Sequence, residues 1–448
     1  MDDLLRTVAD IANNHIDGLG DRPVVFTDPV EIRSELPDGP IDPLVVIDQL
    51  TSDAQPGLVG SPGPRYFGFV TGGALPAALA ADWLVSAWDQ NAFSHVSSPA
   101  AASIEAVAAA WILELLDLPR TAGVGFVTGC QMAHVTALAA ARHRVMDDVG
   151  WPIPERGLAG GPPIRVITGA MRHSTVDRAL RLLGIGSEAM GIVATDELGR
   201  LRIDALEATL AESDGPTIVI AQAGEVNTGS FDPIDEIADV IDGSDAWLHV
   251  DGAFGLWVRA SASHRHLATG AERADSWAFD AHKWLNVPYD CGVAAVADVE
   301  AHIASMSYTG DYLVATSDRR DAIDWGPDAS RRARGVPVYA AIRSLGRSGV
   351  AGIVDRCCRL AARFAAGLDR VRGAELIADP IINQVLFRFE DDERTAEILR
   401  RVQSSGVAWM GPTRWDDRAA IRMSVSNWST TEADIEMTIE AFVAATSA

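Results

Sequence analysis

The chain has 448 residues, 48% apolar and 22% charged, a globular composition that excludes disorder over most of its length. Its formal net charge of −25 repels phosphate backbones and anionic lipid, so neither nucleic acid nor a membrane surface is expected as a partner. Four cysteines are too few for a disulfide scaffold, and among 37 basic residues only one, Lys283, is a lysine.

The amino terminus carries no basic n-region, and Asp82, Glu105, Glu114 and Asp117 interrupt the longest apolar stretches before a membrane span is reached. A cytoplasmic protein in a reducing compartment is expected. Leu4, Leu5, Val8, Ile11, Ala12 and Ile16 recur at helical spacing, which predicts an opening helix with one apolar face. From Asp28 to Gly63 the sequence is rich in Pro and Gly and reads as an arm rather than a compact body, so residues 1–74 are taken as an arm and helical segment.

From there to about residue 335, helical stretches alternate with short β-branched runs at 125–127, 164–167, 217–220 and 247–250. That alternation predicts an α/β domain with a mainly parallel sheet covered by helices. Residues 336–448 hold strands at 384–389 and 420–425 and helices at about 393–403 and 432–444, read as a small α+β domain.

Two segments carry the chemistry. Trp247-Leu248-His249-Val250-Asp251-Gly252-Ala253 ends a strand in an acid beside small residues, and Ser276 to Trp284 ends an apolar run in His282-Lys283. An amine that loses its proton can attack a carbonyl, which a guanidinium cannot. The sole lysine is therefore the candidate nucleophile. Thr128-Gly129-Cys130-Gln131 forms a small-residue turn ahead of an Ala-rich helix, where free N–H groups can hold an anion; an ordinary strand-to-helix turn reads the same way. Cys130 is discounted as a thiol nucleophile because no His or Asp stands at a recognisable partner spacing. No metal site is expected.

In the Asp251 and Lys283 segments the chain resembles the pyridoxal-phosphate-dependent group II amino acid decarboxylases, which include aromatic amino acid and glutamate decarboxylases. The resemblance runs from about residue 60 to residue 440. It implies the aspartate aminotransferase-type fold (fold type I), a homodimer, pyridoxal 5′-phosphate as cofactor and a small-molecule amino acid as substrate. It also implies roles. Lys283 forms the Schiff base next to His282, Asp251 keeps the ring nitrogen protonated, His173 stacks on the ring and Ala253 lies on its other face. Thr128, Gly129, Cys130 and Gln131 cup the phosphate. Tyr66, Phe69 and Thr71 line the substrate pocket, and Arg422 holds a substrate carboxylate.

The chain departs from the family in four places. Cys130 and Gln131 replace a Gly and a Ser of the turn, and Glu225 and Val226 stand where two threonines would be. Asp280 stands where Asn is common, and its carboxylate would repel phosphate unless it points away. Ala322 stands where a loop tyrosine would return a proton after decarboxylation; Tyr308 and Tyr312 lie just upstream. The expected reaction is decarboxylation of an L-amino acid to an amine. Alternatives are decarboxylation coupled to oxidative deamination, which gives an aldehyde, another lyase outcome, and a cofactor-binding protein that has lost catalysis. The intact Lys283 and Asp251 argue against the last.

Overall fold

The computed structural model describes residues 2–25, 30–212, 214–308 and 320–447. Two compact units divide the chain, and the larger comprises Ala74–Arg359 with Pro380–Gln384. Its strands are β1 Gly123–Val127, β2 Arg165–Gly169, β3 Met190–Val193, β4 Thr217–Gln222, β5 Trp247–Asp251, β6 Ser276–Asp280 and β7 Gly292–Val296. They form one sheet in the order β1-β7-β6-β5-β4-β2-β3. Strands β2 to β6 pair in parallel, and β7 runs antiparallel to both β1 and β6.

The β-branched runs become strands because both faces of this sheet are covered. Ile218, Val219 and Ile220 of β4 are at most 2% exposed. Burying one such side chain completely contributes about 1.5–3 kcal/mol. The four predicted strands are present with shifted ends. Three strands escaped the reading: β3 is short, β6 was read only as an apolar run, and β7, Gly-Val-Ala-Ala-Val, has weak intrinsic strand preference. Pairing on both sides holds β7 in place. The helix Cys130–Asp147 leaves β1 and packs on β6 and β7, its alanines allowing close approach. Ala137, Leu138, Ala141 and Val145 join Val166, Ile218, Ile220 and Trp247 in one core.

The other unit comprises the chain up to Gly73, Leu360–Asp379 and the chain from Val385 onward. Strands β8 Glu375–Ala378, β9 Gln384–Arg388, β10 Gly411–Trp415 and β11 Arg418–Ser424 form a sheet in the order β10-β11-β9-β8. Helices Asp392–Ser405 and Glu432–Ser447 accompany it, and Phe364, Phe387 and Phe442 meet edge to face or tilted, with centroids 5.4 to 6.0 Å apart. The Pro- and Gly-rich stretch read as an arm contains the helix Pro43–Ala54. Its breakers lie where a helix tolerates them: Pro43 is in the first turn, Asp42 caps it by accepting from Leu44 N, and Gly57 lies beyond the end. None of its residues is buried. Among the described residues no helix is long and apolar enough to cross a membrane.

Candidate active site

Asp251 is the last residue of β5, beside Gln222 of β4 and Ala278 of β6, at the carboxyl end of the parallel strands where α/β sheets place their ligands. It is 3% exposed. Oδ1 accepts from Ala253 N at 3.1 Å, and Oδ2 lies 3.5 Å from His134 Nε2. Burial alone would raise its pKa, but His134, His173 and the Ala253 N–H outweigh burial and hold the carboxyl well below the usual range. Asp251 is ionised.

Lys283 follows β6, and its Nζ pairs with Asp280 Oδ2 at 2.9 Å. Burial pulls the ammonium down, but the pairing more than compensates and Lys283 ends above its ordinary value. Asp280 Oδ1 accepts from Cys130 N at 2.6 Å, so this carboxylate points into the small-residue turn and not away from it. His282 Nδ1 accepts from Cys291 N at 3.1 Å, which puts its ring proton on Nε2, 3.5 Å from Asp280 Oδ1. Removing the Asp280 charge therefore lowers the pKa of Lys283 and raises its free-amine fraction at neutral pH. Asp280→Asn should speed formation of a borohydride-reducible link to pyridoxal phosphate several-fold. An unchanged rate in stopped-flow absorbance would show that Asp280 does not hold the lysine charged.

The turn opens the helix Cys130–Asp147 with Gly129 as its cap and no side-chain cap bond. Its first-turn N–H groups and helix dipole favour an anion. A Cβ on Gly292 would stand 2.3 Å from Gly129 C, so only glycine lets β7 pass so close. Gln131 Nε2 donates to Thr175 O at 3.2 Å, tying the turn to the helix Ser174–Leu182 that His173 caps. His173 Nδ1 accepts from Thr175 N and lies 2.8 Å from Thr175 Oγ1, which leaves its proton on Nε2 of an exposed ring. Ala253 packs against the small core cluster formed by Val127, Cys130, Ala133, Ala278 and Ala294. The premise that Cys130 lacks a partner fails: His134, one helical turn on, lies 3.5 Å from its Sγ. Burial still pushes the thiol well up, so it stays protonated and is no nucleophile.

Thr128, Gly129, Cys130, Gln131, His173, Asp251, Ala253, His282 and Lys283 all belong to the larger unit. Tyr66, Phe69, Thr71 and Arg422 belong to the other. There Tyr66 stacks on Trp409 with centroids 4.9 Å apart, and the Phe69 ring, 62% exposed, lies 5.2 Å from the same indole. A Cβ on Gly68 would collide with Trp409 at 2.0 Å, and Thr71 N donates to Gly68 O. Phe69 and Val70 both have left-handed φ, 55° and 57°, which is rare for a β-branched residue. Arg422 sits on β11 opposite Gly411, half-buried between buried Ile421 and Met423.

Glu225 turns into its own loop, where its carboxylate accepts from Asn227 N, Asn227 Nδ2, Thr228 N and Thr228 Oγ1. Ala322 is a buried methyl in the turn Ala322–Asp324, and Ile323 N donates to Phe93 O. Tyr308 is 46% exposed, and Tyr312 lies outside the described residues. His134, His249, Ser276 and Trp409 were overlooked in the sequence. Spacing could have flagged two of them, since His134 is i+4 from Cys130 and His249 shares a strand face with Asp251.

A strand-end carboxylate, a lysine just past the next strand and a glycine turn opening a helix define an enzyme of the aspartate aminotransferase fold that anchors an aldehyde cofactor on lysine. The chain belongs to the pyridoxal-dependent decarboxylase family, whose conserved-domain model matches residues 31–390. It is a pyridoxal-phosphate-dependent lyase. An aromatic-L-amino-acid decarboxylase of Bacillus atrophaeus is 26% identical over 94% of this chain and 91% of its own. An L-2,4-diaminobutyrate decarboxylase of Rhizobium meliloti (strain 1021) is 30% identical over 79% of this chain and 72% of its own. The crystal structure of Oryza sativa TDC with PLP and tryptamine superposes with a TM-score of 0.92, at 24% identity, over 99% of this chain and 97% of that one. The Gly129–Gly292 approach, the ionised Asp251 and Lys283 fit this cofactor, which supplies an aldehyde and an electron-accepting ring when bound.

Proposed function

We propose that the protein removes carbon dioxide from an L-amino acid to leave an amine, acting as a cytoplasmic homodimer. The observation that carries this reading is the pair formed by an ionised, buried Asp251 and the single lysine of the chain. In this proposal residues 75–335 hold the cofactor, residues 336–448 contribute Arg422, and residues 1–74 form the arm. Lys283 anchors the aldehyde carbon, and Asp251 keeps the ring nitrogen protonated so that the ring draws off the electron pair of the breaking bond. His173 covers one ring face, and Ala253 leaves room on the other. Thr128, Gly129, Cys130 and Gln131 receive the phosphate beside His282, which requires the Asp280 carboxylate to give up the Cys130 N–H it holds in this structure.

Arg422 offers a planar fork to the substrate carboxylate, with Tyr66, Phe69 and Thr71 shaping the pocket. The left-handed Phe69–Val70 pair supports a ligand-contacting role there, since such strained backbone concentrates at binding sites. Dimerisation is supported by the helix Pro43–Ala54, which leaves Leu44, Val45, Val46 and Leu50 at 42 to 55% exposure. Four free, buried cysteines suit a reducing compartment. Mass spectrometry of a mixture of L-amino acids incubated with the protein and pyridoxal phosphate should reveal one or a few amines. A mixture left intact would reject the reading.

A second outcome is favoured by Ala322. A buried methyl cannot return a proton to the substrate carbon, so dioxygen competes for the electron pair. The amino acid, dioxygen and water then become an aldehyde, carbon dioxide, ammonia and hydrogen peroxide. In air we expect a measurable aldehyde and peroxide fraction, and Ala322→Tyr should shift the products toward amine. Equal ratios in the two proteins would show that another group donates the proton.

A further inference from the structure

Behind Asp251 runs a buried line of polar side chains that the reaction itself does not consume. Trp247 Nε1 donates to Ser276 Oγ at 2.8 Å, Ser276 Oγ lies 2.8 Å from His249 Nδ1, and His249 Nε2 lies 2.9 Å from His134 Nδ1. His134 Nε2 ends the line 3.5 Å from Asp251 Oδ2. Trp247, Ser276, His249, His134 and Asp251 are all at most 4% exposed, so each polar atom must find its partner inside the protein.

The carboxylate end orients the protons of the line. An indole N–H can only donate, and an ionised carboxylate can only accept. Ser276 Oγ, with one lone pair taken by Trp247, can turn its own proton to His249 Nδ1, and it does so when the N–H that His134 aims at the carboxylate leaves His134 Nδ1 to accept from His249 Nε2. A neutral His249 then carries its proton on Nε2 and donates to His134 Nδ1, and His134 carries its own on Nε2, facing Asp251. The reverse order would aim a lone pair of His134 at the carboxylate and two donors at Ser276. Burial lowers the pKa of His249 well below the ordinary value, which keeps that ring neutral.

We infer that His134 is a positioning residue for Asp251, and that Trp247, Ser276 and His249 set its tautomer so that a donor always faces the carboxylate. The inference rests on the proposed role of Asp251 at the cofactor's ring nitrogen. Losing that donor weakens the ionised form of Asp251 and, with it, the protonated ring. The other titratable groups acting on or from Asp251 are Cys130, His173, Asp232 and Lys283, and none of them belongs to the line.

Two measurements on the cofactor-loaded protein test this. Nitrogen NMR of histidine-labelled protein should show His134 and His249 as neutral Nε2–H tautomers, and Ser276→Ala should disturb both signals. The pH titration of the bound-cofactor absorbance should move by roughly one unit in His134→Leu, in the direction of an easier loss of the ring proton. His134→Gln, which restores an N–H at similar reach, should return most of the shift. An Nδ1–H tautomer at His134, a charged His249, or a His134→Leu titration matching the wild type would overturn the inference. Should His134→Leu fail to fold, the tautomers of the wild type and of Ser276→Ala decide it. A wild type that loads no cofactor would instead reject the role of Asp251 on which the inference stands.

Discussion

Asp251→Ala is expected to lower kcat by several powers of ten, each worth about 1.4 kcal/mol of barrier. The substitution removes the one ionised carboxylate at the end of β5, and in the proposed role of Asp251 the cofactor ring then loses the charge that holds its nitrogen protonated. Cofactor affinity should fall less, because Lys283 and the turn at Gly129 lie on other elements. Asp251→Asn separates charge from shape: an amide keeps the size and can still accept from Ala253 N, so an activity as low as that of the alanine variant would assign the effect to charge. Turnover of either variant within a few-fold of the wild type would take Asp251 out of the mechanism. Steady-state rates at saturating cofactor, with absorbance spectra to verify loading, make the distinction.

Lys283→Ala should abolish every borohydride-stable adduct of pyridoxal phosphate on a side chain. The composition makes this test unusually clean, since Lys283 is the only lysine in 448 residues and the other 36 basic residues are arginines. A guanidinium does not form the link, so Lys283→Arg should not rescue it. Peptide mapping of the reduced wild type should place the cofactor mass on the peptide spanning His282 to Trp284. A side-chain adduct that survives in Lys283→Ala would refute the anchor.

The strands bearing the site were legible because a covered parallel sheet needs near-continuous apolar runs, and β4 and β5 supply them. Lys283 and Asp251 stood out by rarity and by position at strand ends. β7 was not legible, because Gly292 is there for the backbone of Gly129 and its alanines for the helix above; both are tertiary demands. The helix at Pro43 was hidden by counting breakers without asking where in a helix they fall. The orientation of Asp280 was undecidable from its identity alone. Its two oxygens are divided between Cys130 N and Lys283, and the former lies 150 positions away in the chain. His134 and His249 read as unremarkable until folding brought them 2.9 Å apart.

The most direct test of the central claim is release of carbon dioxide from carboxyl-labelled L-amino acids by the loaded wild type, run beside Lys283→Ala. The account predicts enzyme-dependent label in the trapped gas for at least one amino acid, and none above background with the variant. Retention of the label in a product that has lost only its amino group, or equal release by the variant, would contradict it.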